Sequence, residues 1–503
     1  MSFQPVFENI TLNEKIGVIN ERIKSECKTN LSTEGIKKII FLSATPYLAS
    51  SECVDGGVKV SGKTHFFVCY EFEDGEIRKH ECYSDFDEVI KTDLCNENLR
   101  ARLEIKNDKI EADLSGIHLC LSCYIEVKAS IKERKEIPFI SGGEGLFCDS
   151  KERVHLRSFG EKTTVYPIEE EFELPYTVKE VLSQKATAHC SSCQCGVGTI
   201  IVDGEVNISQ ILLQSGEKND IIKETRLIPF RAEIECDDAM PINLATAYIT
   251  EKSFRTDITV DEEQGKSLVN CSILLSLTGE AYSKDEMLVV TDAFSLTNDL
   301  EIITEKTPLI INREQKVVCE KISGRTEFEE LPVGAVYCLV TNEKVEILSS
   351  KKLDSGILIT GSLSATACFR DDENKLFSRK METPFEIVLS LDSTPTCNYE
   401  VSATIKTVEN RVLSLSSGEL FADVCFNVIQ TENSDVLLVK EIKSSAEKKM
   451  EDYALSVYIP LEGEDLFPLA KRLNVNPAEL VLTNKELQFP LSGDERIVVY
   501  RQK

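Results

Sequence analysis

The sequence predicts a mainly β protein: three tandem antiparallel β-sandwich-like domains followed by a small α+β unit of βααβ order. Three observations predict it. First, a short alternating run ends in glycine three times, at Val58-Lys-Val60-Ser-Gly62, Ile200-Ile-Val202-Asp-Gly204 and Ile357-Leu-Ile359-Thr-Gly361. Second, the glycines stand 142 and 157 positions apart, and Phe86, Phe230 and Phe385 follow them after 24, 26 and 24 residues, each opening an apolar run. Repetition at domain-sized intervals marks copies of one module, and period-two runs mark half-buried strands. Third, from residue 453 onward the apolar spacing turns helical.

The first module is read over 8–160. A polar stretch, Glu14–Lys28, is expected to be helical. Strands follow at Ile39–Ala44 and Val58–Tyr70, and a turn at Glu73-Asp-Gly75 leads into a hairpin partner, Ile77–Ile90. Leu103–Ile105 and Ile117–Val127 come next, then a glycine-rich break at Ser141–Gly145. The second module, 161–309, repeats the order. Val178–Ala188 leads in, Thr199–Leu213 and Thr225–Cys236 flank a turn at Ser215-Gly-Glu217, and Val269–Leu277 and Met287–Phe294 close it. The third, 310–447, runs Val336–Leu348, Gly356–Phe369, a turn at Arg370–Asn374, Phe377–Leu391, Val412–Ile429 and Val436–Ile442. Short strands with frequent turn signals indicate sandwiches. Their exposed sheet edges would suit strand addition by a partner. A charged linker is expected at Ser444–Asp452.

The tail, 453–503, opens with a strand at Leu455–Ile459. Asp465 can cap a helix with Pro468 in its first turn, and Leu466, Leu469, Ala470 and Leu473 share one face. Asn476 caps a second helix with Pro477 first and Leu480 inward, and Ile497–Tyr500 is the closing strand.

The 503 residues include 57 Lys and Arg against 85 Asp and Glu, a net charge of −28. No basic cluster is present to release counterions from a phosphate backbone, and an anionic membrane surface would repel the chain. Nucleic acid and membrane insertion are therefore not expected. No run approaches 18 apolar residues, and the N-terminus lacks the basic and apolar regions of a signal peptide. Eighteen Cys lie mostly within apolar runs, Cys69, Cys271, Cys368 and Cys425 among them, and reduced thiols are expected.

His189-Cys190-Ser-Ser-Cys193-Gln-Cys195 has a zinc-knuckle spacing. Zinc would need all four ligands from one short loop, and a polar loop with reduced thiols accounts for the same residues. No metal or cofactor is assigned. In His118-Leu-Cys120-Leu-Ser-Cys123, strand alternation separates Cys123 from the other two. Gly265-Lys266-Ser267 has Val260 where a phosphate loop needs glycine and precedes a strand. None of the five His, at 65, 80, 118, 155 and 189, adjoins a nucleophile motif, and Asp237-Asp238 reads as a solvated turn. No catalytic residue is assigned, and an enzyme is not expected.

The tail motifs Gly463-Glu464-Asp465-Leu466-Phe467, Leu469-Ala470-Lys471-Arg472-Leu473, Asn474-Val475, Glu479-Leu480 and Leu482-Thr483-Asn484 resemble a LysM domain. The match departs from that family at Phe467, where Trp is common, at Pro468, and after Asn484. The β modules resemble the SPOCS domain of SipL-like clostridial spore-coat morphogenetic proteins, through Ile228-Pro-Phe230, Ala281-Tyr282, Val290–Ser295 and Thr383-Pro-Phe385. The resemblance implies a non-enzymatic scaffold or adaptor of spore coat assembly. It would act in the mother-cell cytoplasm at the forespore surface and dock the ATPase-like protein of the coat's basement layer through its tail. Binding of peptidoglycan or another N-acetyl glycan is the alternative. Both would use the loops Gly463, Glu464, Asp465 and Leu466, and Leu482, Thr483 and Asn484. A continuous parallel sheet, or a deep polar pocket crowded with ionisable groups, would contradict this reading.

Overall fold

Period-two burial governs nearly the whole chain. In the computed structural model, which describes every residue except 1–2, 217–219, 373–374, 393–395, 449–454 and 501–503, three groups of six antiparallel strands precede a small tail. The first group is β1 (Gln4–Ser32), β2 (Ile36–Val54), β3 (Gly57–Phe72), β4 (Ile77–Lys91), β5 (Arg100–Asp113) and β6 (His118–Glu144). Its two sheets run β2-β3-β4 and β1-β6-β5. The second group is β7 (Phe147–Leu174), β8 (Val178–Cys195), β9 (Thr199–Gln214), β10 (Ile221–Glu235), β11 (Leu244–Asp261) and β12 (Lys266–Phe294). The third is β13 (Asn298–Glu327), β14 (Val336–Leu353), β15 (Gly356–Arg370), β16 (Leu376–Ser390), β17 (Cys397–Ser414) and β18 (Ser417–Glu447). Both repeat the two sheet orders of the first. In each group the sheets face one another across one apolar core.

The glycine and phenylalanine of each repeat meet in space. Gly62 pairs with Phe86, Gly204 with Phe230 and Gly361 with Phe385, each directly opposite across the middle sheet ladder. A Cβ on any of the three glycines would lie 2.3–2.6 Å from a ring carbon of that phenylalanine. The rings lie across the bare backbone, filling the space where the central strand has no side chain.

Repeated β-bulges join the groups into a ring. The extra residue of one bulge is Ile40 in β2, Leu182 in β8 and Cys338 in β14. All three enter one apolar cluster that also takes Cys69, Ile211 and Cys368, so each group contributes to it. A second bulge places Asp108 in β5, Lys252 in β11 and Lys406 in β17. Each reaches the neighbouring group: Asp108 lies 3.6 Å from Lys344, the Lys252 ammonium donates to the Leu48 carbonyl at 2.6 Å, and Lys406 lies 2.5 Å from Glu205. Bulges re-aim a strand's side chains, and these aim them across the joints.

The longest strands run past the sandwiches as two-stranded arms. Residues 4–15 pair with 132–144, 147–158 with 282–294, and 298–310 with 433–447. The arms pack on one another through Ile10, Phe139, Met287, Val289, Leu309, Val436 and Leu438. The chain crosses between groups at the arm tips, 145–146 and 295–297. The sequence-derived limits at 160 and 309 thus fall inside β7 and β13.

Several expected elements are corrected. Glu14–Lys28 is strand, not helix. Ile23, Ser25, Cys27 and Thr29 turn inward while Arg22, Lys24, Glu26 and Lys28 face solvent, and β6 supplies the hydrogen bonds. The two closing strands of the second module are one strand, β12, and 436–442 continues β18. Val412 lies on β17, before the turn into β18. Strand also runs through Ser141–Glu144, so the break begins at Gly145, with φ 74°. Of the expected linker, 444–447 is strand and 449–452 lies outside the described residues, as do Glu217 and residues 373–374 of two expected turns. Cys425 is not a free thiol: it forms a disulfide with Cys319, its partner across the β13–β18 ladder.

The tail contains β19 (Leu455–Tyr458), α1 (Leu466–Leu473), α2 (Pro477–Thr483) and β20 (Ile497–Tyr500), with β19 antiparallel to β20. Leu469, Ala470, Leu473, Leu480, Ile497 and Val499 form its core. No helix among the described residues is long and apolar enough to cross a membrane.

Candidate functional site

In the tail, the residues expected to bind divide into two sets. Glu464 is buried. Its carboxylate accepts from the Arg472 guanidinium at 2.9 and 2.7 Å and from the Leu461 N–H at 3.0 Å. Those hydrogen bonds, Arg472 first, hold it below the usual carboxylate range. The Asn484 amide closes the outer edge of β20, accepting from the Val498 N–H and donating to its carbonyl, both at 2.7 Å. Leu466 packs on the core, and the Thr483 hydroxyl donates to the Glu479 carbonyl. These four therefore hold the tail together. Gly463, Asp465 and Leu482 are exposed, and a Cβ on Gly463 would meet nothing within 4 Å. Asp465 occupies the N-cap of α1 with extended backbone, but its side chain makes no capping hydrogen bond. The Asn476 side chain does cap α2, accepting from the Ala478 N–H.

The outer face of the tail's sheet went unnoticed in the sequence. Leu455 pairs with Tyr500 and Val457 with Val498, which puts all four on the face opposite the helices. Leu455, Val457 and Tyr500 are about 60% exposed, and Ile459 and Leu461 continue the apolar row. Alternation through Leu455-Ser-Val457-Tyr-Ile459 was the available signal.

The tail is docked, not held out. Phe467 meets Phe294 edge-on at 5.4 Å, and Phe294 stacks on Phe147 at 5.1 Å, all at the tip of the second arm. Lys471 reaches both Asp292 oxygens at 2.6 Å, and the Asn474 amide donates to the Leu296 carbonyl. Phe467, read as a departure from the LysM pattern, is an intramolecular anchor.

A second candidate lies on the ring axis. A cavity of about 1740 Å³ is lined by 42–51 and 101–110 of the first group, 183–190 and 247–252 of the second, and 339–346, 402–405 and 407–410 of the third. The lining strands β2, β5, β8, β11, β14 and β17 are all sheet edges. The edges expected to accept an added strand are therefore in part turned inward. This chamber is large and is lined by polar and apolar residues alike, and the scaffold reading did not expect it. Several of its ionisable groups tie one strand group to the next. Lys223 pairs with Glu343, Lys344 with Asp108, and the Lys185 ammonium donates to the Glu343 carbonyl, whereas Lys344–Glu346, Lys109–Glu111 and Lys380–Glu382 pair within one group. Glu251 accepts from the Ala188 N–H, and burial raises its carboxyl above the ordinary value. A smaller pocket of about 360 Å³ adjoins it, lined mainly by the first and third groups, and there the Arg102 guanidinium lies 3.1 Å over the ring of Tyr248 from the second group.

The His189 cluster is spread along β8 rather than looped. His189 lies 3.3 Å from Glu205, and burial lowers its affinity for a proton. Burial pushes the Cys190 thiol up to about 12 and Cys195 to about 11, which disfavours the thiolate that a metal or a nucleophile requires. No three His, Cys, Asp or Glu among the described residues are placed to hold a metal ion. Cys123 is fully buried while His118 is exposed, as alternation requires. Gly265 forms the turn before β12, and Asp237-Asp238 an exposed turn. Compared with protein-family models, curated proteins and solved structures, the chain matches none.

Proposed function

We propose that this chain is a non-enzymatic scaffold or adaptor of spore-coat assembly. It acts in the mother-cell cytoplasm at the forespore surface and docks the ATPase-like coat protein through its tail. The reading rests on the resemblance of its motifs to SPOCS and LysM domains. The structural observation that carries it is the apolar outer face of the tail, Leu455, Val457, Ile459, Leu461 and Tyr500. Exposed apolar rows of this kind mark contact surfaces. The docked inner face fixes the direction in which that surface points. The chamber charges that do cross the joints, Lys223–Glu343 and Lys344–Asp108 among them, fit a structural role.

The test is Val457→Glu with Tyr500→Glu in the full chain, followed in sporulating cells by crosslinking to the coat ATPase and by forespore localisation. Loss of both with unchanged thermal unfolding supports the reading, and retention of both sinks it. Deletion of 453–503 must give the same loss. Open space around Gly463 favours one second reading, a glycan contact at that loop. It requires muropeptides to shift the amide signals of Gly463, Asp465 and Leu482 and leave those of Val457 and Tyr500 in place.

A further inference from the structure

Two buried thiols of the first group meet without a bond. Cys53 lies near the end of β2 and Cys95 in the crossover from β4 to β5, and their Sγ atoms are 3.8 Å apart. Both side chains are more than nine-tenths buried. The backbone around them is stapled: the Gly56 N–H donates to the Cys95 carbonyl at 3.2 Å and the Thr92 N–H to the Gly56 carbonyl at 2.9 Å. The second group repeats this staple, with Gly198 N–H to the Ala239 carbonyl and Cys236 N–H to the Gly198 carbonyl, each at 2.9 Å. By that correspondence Cys195 occupies the place of Cys53, and Ala239 that of Cys95. The same backbone therefore forms without a second thiol, so the pair is a property of the first group's sequence and not a demand of the fold.

We propose that Cys53 and Cys95 are an oxidation site that closes to a disulfide with a small-molecule disulfide, such as oxidised glutathione, as the oxidant. The Cys95 thiolate attacks one glutathione sulfur, forming a mixed disulfide and releasing one glutathione. The Cys53 thiol, which burial raises to about 12, gives up its proton and its sulfur displaces the second glutathione, so the reaction is run at alkaline pH. One S–S bond breaks and one forms, two protons leave the protein thiols, and the oxidant is reduced to two thiols. The sulfurs need only close from contact to bonding distance, about 2.05 Å. The bond would tie β2 to the crossover that leads into β5, and β2 and β5 are the strands by which the first group lines the chamber and meets its neighbours through Leu48 and Asp108.

The test uses the full chain, gently reduced so that Cys319–Cys425 survives, then treated with oxidised glutathione. The expected result is a fall in titratable thiols, measured after unfolding, from 16 to 14. Non-reducing peptide mapping should recover a Cys53–Cys95 linked pair. The guanidinium midpoint of unfolding should rise after oxidation. In Cys95→Ala, which installs the residue the second group carries, the thiol loss and the rise should both vanish while the fold is kept. Full alkylation of Cys53 and Cys95 after oxidation, glutathione left on either one, or a crosslink to a different cysteine would each overturn the proposal.

Discussion

Replacing Gly204 by Ala tests whether the repeated glycine is there for the ring that crosses it. A Cβ at 204 would lie 2.6 Å from the His189 carbonyl oxygen of one neighbouring strand and 2.6 Å from Phe230 Cζ of the other. Carbon contacts relax at about 3.5–4.0 Å, so both neighbours must retreat by roughly 1 Å. One of them is strand backbone and cannot rotate away. Overpacking of this kind costs about 1–3 kcal/mol, and the lower flexibility of the unfolded Ala variant returns about 0.4–1 kcal/mol. The expected net loss is about 1–2 kcal/mol, read as a lower guanidinium midpoint. Gly361→Ala, at 2.3 Å from the Glu346 carbonyl and 2.4 Å from Phe385, should cost more. Gly142→Ala, with nothing within 4 Å, should be neutral or slightly stabilising. Pairing Gly204→Ala with Phe230→Leu should be less than additive, because the two changes share a contact. A Gly204→Ala variant as stable as the parent would refute the account of the repeat.

Three further outcomes follow from the tail and the joints. Glu464 is held ionised by Arg472 and the Leu461 N–H, so its contribution is complete above the unfolded carboxylate value and is lost as pH falls through its lower folded value. Glu464→Gln should therefore cost about 1 kcal/mol at neutral pH, discounted for the exposure of Arg472, with the gap to wild type closing in acid melts. Phe467→Ala should weaken docking by about 2 kcal/mol, below the cost for a fully buried ring. Hydrogen exchange should then speed up at 466–473 and at Phe294 together, whereas a change confined to the helix would count against the docked arrangement. Lys406→Ala removes a 2.5 Å partner of Glu205 and a cation that disfavours protonation of His189. The His189 ring, followed by NMR, should titrate at higher pH, and an unmoved titration would contradict the joint.

The mainly β architecture was legible because its signals are local. Alternation, turn glycines and the Gly–Phe spacing each lie within some thirty residues, and the structure pairs Gly62, Gly204 and Gly361 with the phenylalanines that the spacing singled out. The helices of the tail were legible for the same reason, since caps and apolar faces are set within a turn or two. The strand over Glu14–Lys28 is hard to read because its outward side is heavily charged and its inward series Ile23, Ser25, Cys27 and Thr29 has two hydroxyl residues in place of apolar ones. Of the arm segments only Met287–Phe294 and Val436–Ile442 are expected, as separate short strands; β1, β7 and β13 carry bulges at Ile16, Phe159–Gly160 and Ile311, which break the alternation midway. Glu464 and Asn484 are expected to bind because the LysM resemblance puts them on its two binding loops. Only the positions of Arg472 and Val498 in space show that both side chains are engaged within the tail.

Closure of the ring was out of reach for a different reason. A bulge is one extra residue, and nothing in the identities of Asp108, Lys252 and Lys406 announces that they correspond. One bears the opposite charge to the other two, and their partners are a lysine, a carbonyl and a glutamate. What the three groups conserve is geometry, a side chain lifted from the corner strand toward the next group, with the chemistry chosen locally. That distinction bears on function. The first and third groups have no chain crossing between them, yet they meet through Lys15–Glu400 at 3.3 Å and through the Asn342 amide on the Leu42 carbonyl at 3.1 Å. Sandwiches merely strung along a tether would need no such contacts. A ring with a tail docked at one arm tip presents that tail's outer face in a set direction, which is what the proposed adaptor role would need.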